Sequence, residues 1–141
     1  MSAKEELSIA AIVYFNDEYL ILKYGLGHWE FVKGHKEDDE TDEETIMREL
    51  LEETGITDAE IVNGFKGKYE YNFTFKKQKI HKLVYCYLIK SNSKDVSLSY
   101  EHDAFKWLPF DKAIKQLTYS NAKRLLKKAE TFRKSSLASF Y

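Results

Sequence analysis

The sequence predicts a mixed α/β chain of α+β character, with strands and helices interleaved and no regular βαβ spacing. Three features point there. Two apolar runs near the N-terminus flank a short polar turn. A stretch with helical periodicity runs from Asp42 to Thr54 and stops at Gly55. Segments rich in Tyr, Phe, Val and Ile then precede two further helical stretches. With 141 residues the chain is the size of one ordinary domain, read here as 1–141 with a core over about 7–133.

Leu7 to Phe15 is nearly all apolar and reads as a buried strand, and Asn16-Asp17 turns it into a second strand, Tyr19 to Tyr24. Gly25 and Gly27 break that pattern, and Trp29 to Val32 is a short extended piece. Gly34 to Thr41 is polar and irregular, hence a loop. Asp42 then caps a helix whose first turn holds Glu43 and Glu44, and Gly55 ends it. Glu60 to Phe65, Lys68 to Phe75 and Ile80 to Lys90 read as strands, with a polar turn over Lys76-Lys77-Gln78-Lys79. Ser91 to Lys94 is a loop, and Ala104 to Leu108 is a short strand before the only proline, Pro109. Asp111 to Leu117 and Ser120 to Arg133 are helices, the second with Ser120 as its cap. Ser135 to Tyr141 carries no clear signal.

Composition narrows the function classes. Hydrophobic residues make up 43% and charged residues 32%, which suits a core-bearing chain rather than a disordered one. The 22 basic and 23 acidic side chains leave a formal charge of -1, which argues against nucleic-acid binding through a whole-molecule basic field and leaves local patches open. Cys86 is the sole cysteine, so no internal disulfide forms. No run reaches the roughly 18 apolar residues of a membrane span, and the first six residues carry acids rather than a leader's apolar stretch. The expectation is a cytoplasmic protein without a membrane partner, either a monomer or a dimer.

The helix over 42–54 carries the chemistry. With Arg48 set at zero on a helical wheel, Glu52 falls near 40°, Glu49 near 100° and Glu53 near 140°, at about 100° per residue. Met47, Leu50 and Leu51 fall on the other side, with Ile46 beside them, and make the expected apolar face. A solvated acidic face is one account of this pattern. Against it, Glu49 and Glu53 are like charges at i,i+4, which costs a few tenths of a kcal/mol in an isolated helix. A divalent cation converts that repulsion into ligation, and Mg²⁺ prefers carboxylates, waters and phosphate oxygens.

Gly34, five residues, Glu40, seven residues, then Arg48-Glu49-Leu50-Leu51-Glu52-Glu53-Thr54-Gly55-Ile56 matches in full the G-x5-E-x7-R-E-U-x-E-E-x-G-U box, where U is aliphatic. On all nine specified positions the chain resembles the Nudix hydrolases. The resemblance implies a mixed sheet sandwiched between helices and hydrolysis of a diphosphate linkage with Mg²⁺ or Mn²⁺. It implies Glu49, Glu52 and Glu53 as metal ligands, with the Gly34 carbonyl as a further one. Glu49 is the first candidate base, and Arg48 is expected to orient the acids, with Glu40 as its partner from the loop.

Two flanking segments are similar to the diadenosine tetraphosphate hydrolase branch. His28-Trp29-Glu30-Phe31-Val32-Lys33-Gly34-His35 resembles its H-W-x-x-P-K-G-H, and Leu98-Ser99-Tyr100-Glu101-His102 resembles its L-S-x-E-H. By that likeness Glu101 is an extra ligand or alternative base, and His28, Trp29, Lys33 and His35 are candidates to bind substrate. Val32 in place of proline, and Glu37-Asp38-Asp39-Glu40 in place of E-P-G-E, depart from the branch. Lys33, Lys79, His81 and Lys82 are candidates to grip a phosphate chain, and Tyr85 and Tyr87 to stack on a purine. Trp29 and Trp107 fit core or cleft-wall packing better than a substrate role, and Lys76, Lys77 and Lys79 fit a solvated turn equally well. The histidines are not expected to ligate metal in so hard a carboxylate site.

The leading expectation is asymmetric hydrolysis of a dinucleoside polyphosphate. The other enzyme readings are processing of an RNA 5′ end, sanitising of oxidised nucleoside triphosphates and cleavage of ADP-ribose. A reading of another class, an inactive nucleotide-binding module, sits poorly with a box that keeps every acid.

Overall fold

Ile9 to Val13 are buried at every position, because the strand that carries them is covered on both faces. In the computed structural model, which describes residues 3–25 and 27–138, this strand is β1 (Lys4–Phe15). Further elements follow in the order β2 (Glu18–Tyr24), β3 (Trp29–Glu30), β4 (Val32–His35), α1 (Asp42–Thr54), β5 (Ala59–Phe75) and β6 (Gln78–Ser91). The described chain closes with β7 (His102–Pro109), α2 (Phe110–Gln116) and α3 (Ser120–Ala138).

All seven strands join one mixed sheet. One edge of β1 pairs in parallel with β6, from Lys4↔Ile80 to Tyr14↔Lys90. Its other edge is shared: β4 pairs antiparallel with its first half, Ser8↔His35 to Ala11↔Val32, and β2 with its end. Thus Gly34 is held beside Ile9 in the middle of the sheet. Successive β1 side chains alternate between faces. Ala10 and Ile12 join Val84, Cys86 and the apolar sides of α2 and α3. Ile9, Ala11 and Val13 join Ile46 and Leu50 of α1. A mixed sheet with helices on both faces is the expected fold.

Several local expectations shift. Thr41, not Asp42, caps α1: its hydroxyl accepts from the Glu44 N–H at 3.1 Å, and the Glu44 carboxylate accepts from the Thr41 N–H at 3.0 Å. Asp42 is thereby freed to bond Lys36 and Tyr87. The buried side of α1 is turned from the predicted apolar face, since Leu51 is 51% exposed and Glu53 only 4%. Packing against β4 and Tyr24 outranks side-chain polarity there.

The two strands predicted over 60–65 and 68–75 are one strand, β5, with a bulge between Ile61 and Lys66 where Gly64 adopts φ +98°. Gly34 and His35 belong to β4 rather than to a loop. At α3 the Tyr119 carbonyl accepts the first helical bond from the Lys123 N–H, so Ser120 is the first helical residue and not the cap. The helix runs on through Ala138, past the predicted end at Arg133, and residues 139–141 lie outside the described residues. No helix among the described residues is long and apolar enough to cross a membrane.

Candidate active site

Glycine at residue 34 leaves room for the Glu49 side chain. A Cβ on Gly34 would lie 2.0 Å from the Glu49 carboxyl carbon, so bare β4 backbone lets the α1 carboxylate lie against the sheet. Arg48 ties the helix to the loop before it. Its Nε donates to Glu40 Oε2 at 2.6 Å and its Nη2 to Glu40 Oε1 at 2.9 Å, a bidentate pair. Nη2 also reaches the His35 carbonyl at 3.0 Å, while Nη1 donates to Glu49 at 2.7 Å and more weakly to Glu52 at 3.4 Å. The guanidinium holds the Glu40 carboxyl down to about 2.

Glu53 sits deepest. Tyr24 donates from its hydroxyl to the Phe31 carbonyl at 2.8 Å and faces Glu53 Oε1 at 3.4 Å. His102 Nε2 stands 3.1 Å from the same oxygen, with its Nδ1 3.0 Å from the Ser99 hydroxyl. The His102–Glu53 approach has the distance of an ion pair but not the angles of a hydrogen bond, and both His102 Nε2 and Glu53 Oε2 lack a bonding partner. Burial, followed by the neighbouring Glu49 charge, pushes the Glu53 carboxyl up to about 9. Burial raises Glu49 too, against the pull of Arg48.

A cleft of about 530 Å³ gathers Lys33, Gly34, His35, Arg48, Glu49, Glu52, Glu53 and Glu101. Among the described residues no three acidic, histidine or cysteine side chains already converge at ligating distance, since Arg48 holds Glu49 and Glu52 toward itself. The donor set nevertheless fits a hard divalent cation: carboxylate oxygens, a backbone carbonyl at Gly34, and a buried Glu53 oxygen without a partner.

A second cavity, of about 550 Å³, lies on the α3 side of the sheet and is lined by His28, Glu30, Lys33, Tyr69, Tyr71, Phe73, Tyr119 and Asn121. Lys33 lines both spaces. Tyr69 and Tyr71 stack 6.1 Å apart at 14°, and His28 stacks on Tyr24 at 4.9 Å.

The other candidate residues are dispersed. Trp29 packs against the α2–α3 core under the Lys106 ammonium. Lys82 is buried beside Glu6 at 3.5 Å, and burial lowers its pKa. His81 is held between Glu5 at 2.6 Å and Glu70 at 2.8 Å, and Lys79 is exposed at the hairpin end, so neither lines the cleft. Tyr85 and Tyr87 lie on the α1 face, opposite the aromatic cavity, with Lys66 over the Tyr85 ring at 4.2 Å and the Tyr87 hydroxyl donating to Asp42. Sequence reasoning passed over Tyr69, Tyr71, Phe73 and Tyr119. The first three alternate along one strand and so share a face, a readable signal; that this face looks toward α3 was not.

The NUDIX domain family model matches residues 5–129. The chain belongs to the Nudix family. It is 32% identical over 119 residues to the rat protein named bis(5′-nucleosyl)-tetraphosphatase [asymmetrical], covering 82% of this chain and 80% of that one. Its structure is similar to the crystal structure of a C. elegans Ap4A hydrolase binary complex, with TM-score 0.81 and 29% identity over 92% of this chain and 98% of the other. Likeness to the E. coli dihydroneopterin triphosphate pyrophosphohydrolase, at TM-score 0.66 and 20% identity over 91% of this chain and 97% of that one, shows the shared fold alone. The protein is a Nudix hydrolase acting on a diphosphate linkage.

Proposed function

We propose that this Nudix hydrolase cleaves a bis(5′-nucleosyl) tetraphosphate asymmetrically, yielding ATP and AMP from the diadenosine compound. The observation that carries the reading is the junction at Lys33 between the carboxylate cleft and the aromatic cavity. A dinucleoside polyphosphate needs both a place for several phosphate charges and an aromatic wall for a base. The names of the rat and C. elegans relatives support the same substrate class.

Glu49, Glu52 and Glu53, with the Gly34 carbonyl, are the proposed ligands of Mg²⁺ or Mn²⁺, and Glu101 lines the same cleft as a further one. When bound, the cation neutralises phosphate charge and lowers the pKa of coordinated water. Arg48 holds Glu49 and Glu40 in register, and Lys33, which lines both spaces, is the proposed cation for a phosphate passing between them. Glu49 is the proposed base, because burial makes it more basic than an ordinary carboxylate while it still faces the cleft. Glu101 is the alternative base. Tyr71 and Tyr119 are the proposed walls for the base ring. The compartment proposed is the cytoplasm, since the substrate is a free anionic nucleotide.

A second reading, processing of an RNA 5′ end, draws support from one feature. The Tyr69, Tyr71 and Phe73 row continues outward through exposed Phe75 to a turn bearing Lys76, Lys77 and Lys79, a platform of the kind that suits successive unpaired bases.

Product analysis with Mg²⁺ tests both. Diadenosine tetraphosphate, 5′-triphosphorylated RNA, oxidised dGTP and ADP-ribose are offered at equal concentration, with Glu52→Gln as control. Preferred formation of ATP plus AMP, lost in the variant, is expected. Much faster cleavage of the RNA would transfer the assignment to the second reading.

A further inference from the structure

Glu30 is a buried carboxylate for which hydrolysis gives no task. It is 7% exposed and lines the aromatic cavity rather than the acidic cleft. Its bonding is loose: Lys33 Nζ lies 3.4 Å from each of its oxygens and His28 Nε2 lies 3.4 Å from one. Charge-assisted bonds of this type run at about 2.7–2.9 Å, and a carboxylate has roughly four acceptor positions. Acceptor capacity is therefore left over inside a cavity walled by tyrosines. Tyr69 and Tyr71 line the same cavity, so the carboxylate shares one space with the proposed stacking wall.

We propose that Glu30 makes this cavity selective for guanine. The inference rests on the reading of the cavity as a nucleoside site and names the base that it takes. Guanine presents along one edge an acceptor, O6, and two donors, N1–H and the N2 amino group. Glu30 offers two acceptor oxygens to those donors; His28 Nε2, 3.4 Å from one of them, stands on a flank to donate to O6, and Lys33 Nζ, 3.4 Å from both, gives up its place astride them. The complement is acceptor, acceptor and donor in a row. Adenine presents the amino group at C6 beside the N1 lone pair, so one carboxylate oxygen would face a lone pair. That arrangement leaves a buried acceptor unpaired and adds repulsion, and such a mismatch costs about 1–3 kcal/mol. Hypoxanthine keeps O6 and N1–H but lacks the amino group, and falls between. Within the proposed substrate class, a tetraphosphate with guanosine at one end is then bound ahead of the diadenosine compound, which the site still admits more weakly.

The competing account makes Glu30 only a counter-ion for Lys33. Binding without turnover separates the two. GMP, IMP and AMP are titrated calorimetrically into the full chain without added metal, and again into Glu30→Gln. Expected is GMP binding at least about tenfold tighter than AMP, in line with one mismatched buried group, with IMP between them. In Glu30→Gln, whose amide offers one donor and one acceptor, the preference should collapse, GMP weakening while AMP holds or improves. Equal binding of GMP and AMP by the unaltered protein overturns the proposal and leaves the nucleoside site standing. So does a Glu30→Gln protein that weakens both nucleotides alike. Binding of none of the three would overturn the nucleoside site itself, and the proposed function with it. The ratio in the unaltered protein decides even if the variant fails to fold.

Discussion

Gly34 and Glu53 are the two residues at which backbone and burial prepare the cleft. A Cβ at position 34 would collide with the far end of the Glu49 side chain, not with backbone. The chain can relieve Gly34→Ala by swinging that carboxylate away, so stability should fall by less than about 1 kcal/mol, as for a substitution that only a flexible side chain feels. Rate and metal affinity should suffer far more, by about a hundredfold, because a displaced ligand is not replaced. Thermal unfolding and Mn²⁺ titration on the same sample check this; a large loss of stability with metal affinity intact would refute it.

At Glu53 the folded pKa, near 9, lies above the ordinary value of 4.5. The metal-free folded chain then holds a proton that the unfolded chain releases. Its stability contribution is complete below about 4.5 and declines as pH rises through about 9. Ligation needs the carboxylate, so metal uptake near neutral pH should expel close to one proton and tighten as pH rises across that window. Calorimetry in buffers of different ionisation enthalpy measures that proton, and Glu53→Gln should abolish it.

At the level of elements, α1 shows how far sequence reading reaches. The helix and its end at Gly55 with φ +75° follow from residue spacing and local propensity, and the pairing of Arg48 with Glu40 from the resemblance of the box. Which side of the helix is buried does not. Leu51 is exposed while Glu53 is interred, because β4 and Tyr24 supply a polar floor that no single-element pattern encodes. The hairpin of β5 and β6 repeats the lesson. Its two-residue turn, Lys76-Lys77, has positive φ at both positions, 50° and 66°, a geometry that favours Asn-Gly. Lysines there are strained. Replacing them together, Lys76→Asn with Lys77→Gly, should raise unfolding stability by about 1 kcal/mol, read as a higher denaturant midpoint at unchanged slope. Any loss of binding to RNA in the same variant would bear on the second reading of function, since two of the three cations at that end would be gone.

Over the whole molecule, the sheet separates two kinds of work. The box acids were legible because they lie within 23 residues of continuous sequence and their spacing is fixed by one helix and one strand. The aromatic cavity was not, because it is assembled from β3, β4, β5 and the start of α3, and only the packed fold brings these together. The sequence suggests Tyr85 and Tyr87 for stacking, whereas Tyr69 and Tyr71 of the paired strand line the cavity; the face each pair occupies depends on strand register. This separation makes a kinetic prediction. Tyr71 is half-exposed and stacks on Tyr69, so truncating it removes a wall of the cavity with little damage to the core. Stacking on a base is worth about 1–3 kcal/mol, so Tyr71→Ala should raise KM for a dinucleoside tetraphosphate by about tenfold or more, with kcat nearly unchanged. Glu52→Gln, on the other side of Lys33, should do the reverse, lowering kcat by about a hundredfold or more at similar KM. Steady-state kinetics of the two variants against one substrate checks the division. If Tyr71→Ala lowered kcat and left KM alone, the ring would be positioning the reacting phosphate rather than holding a base, and the cavity would have to be reassigned.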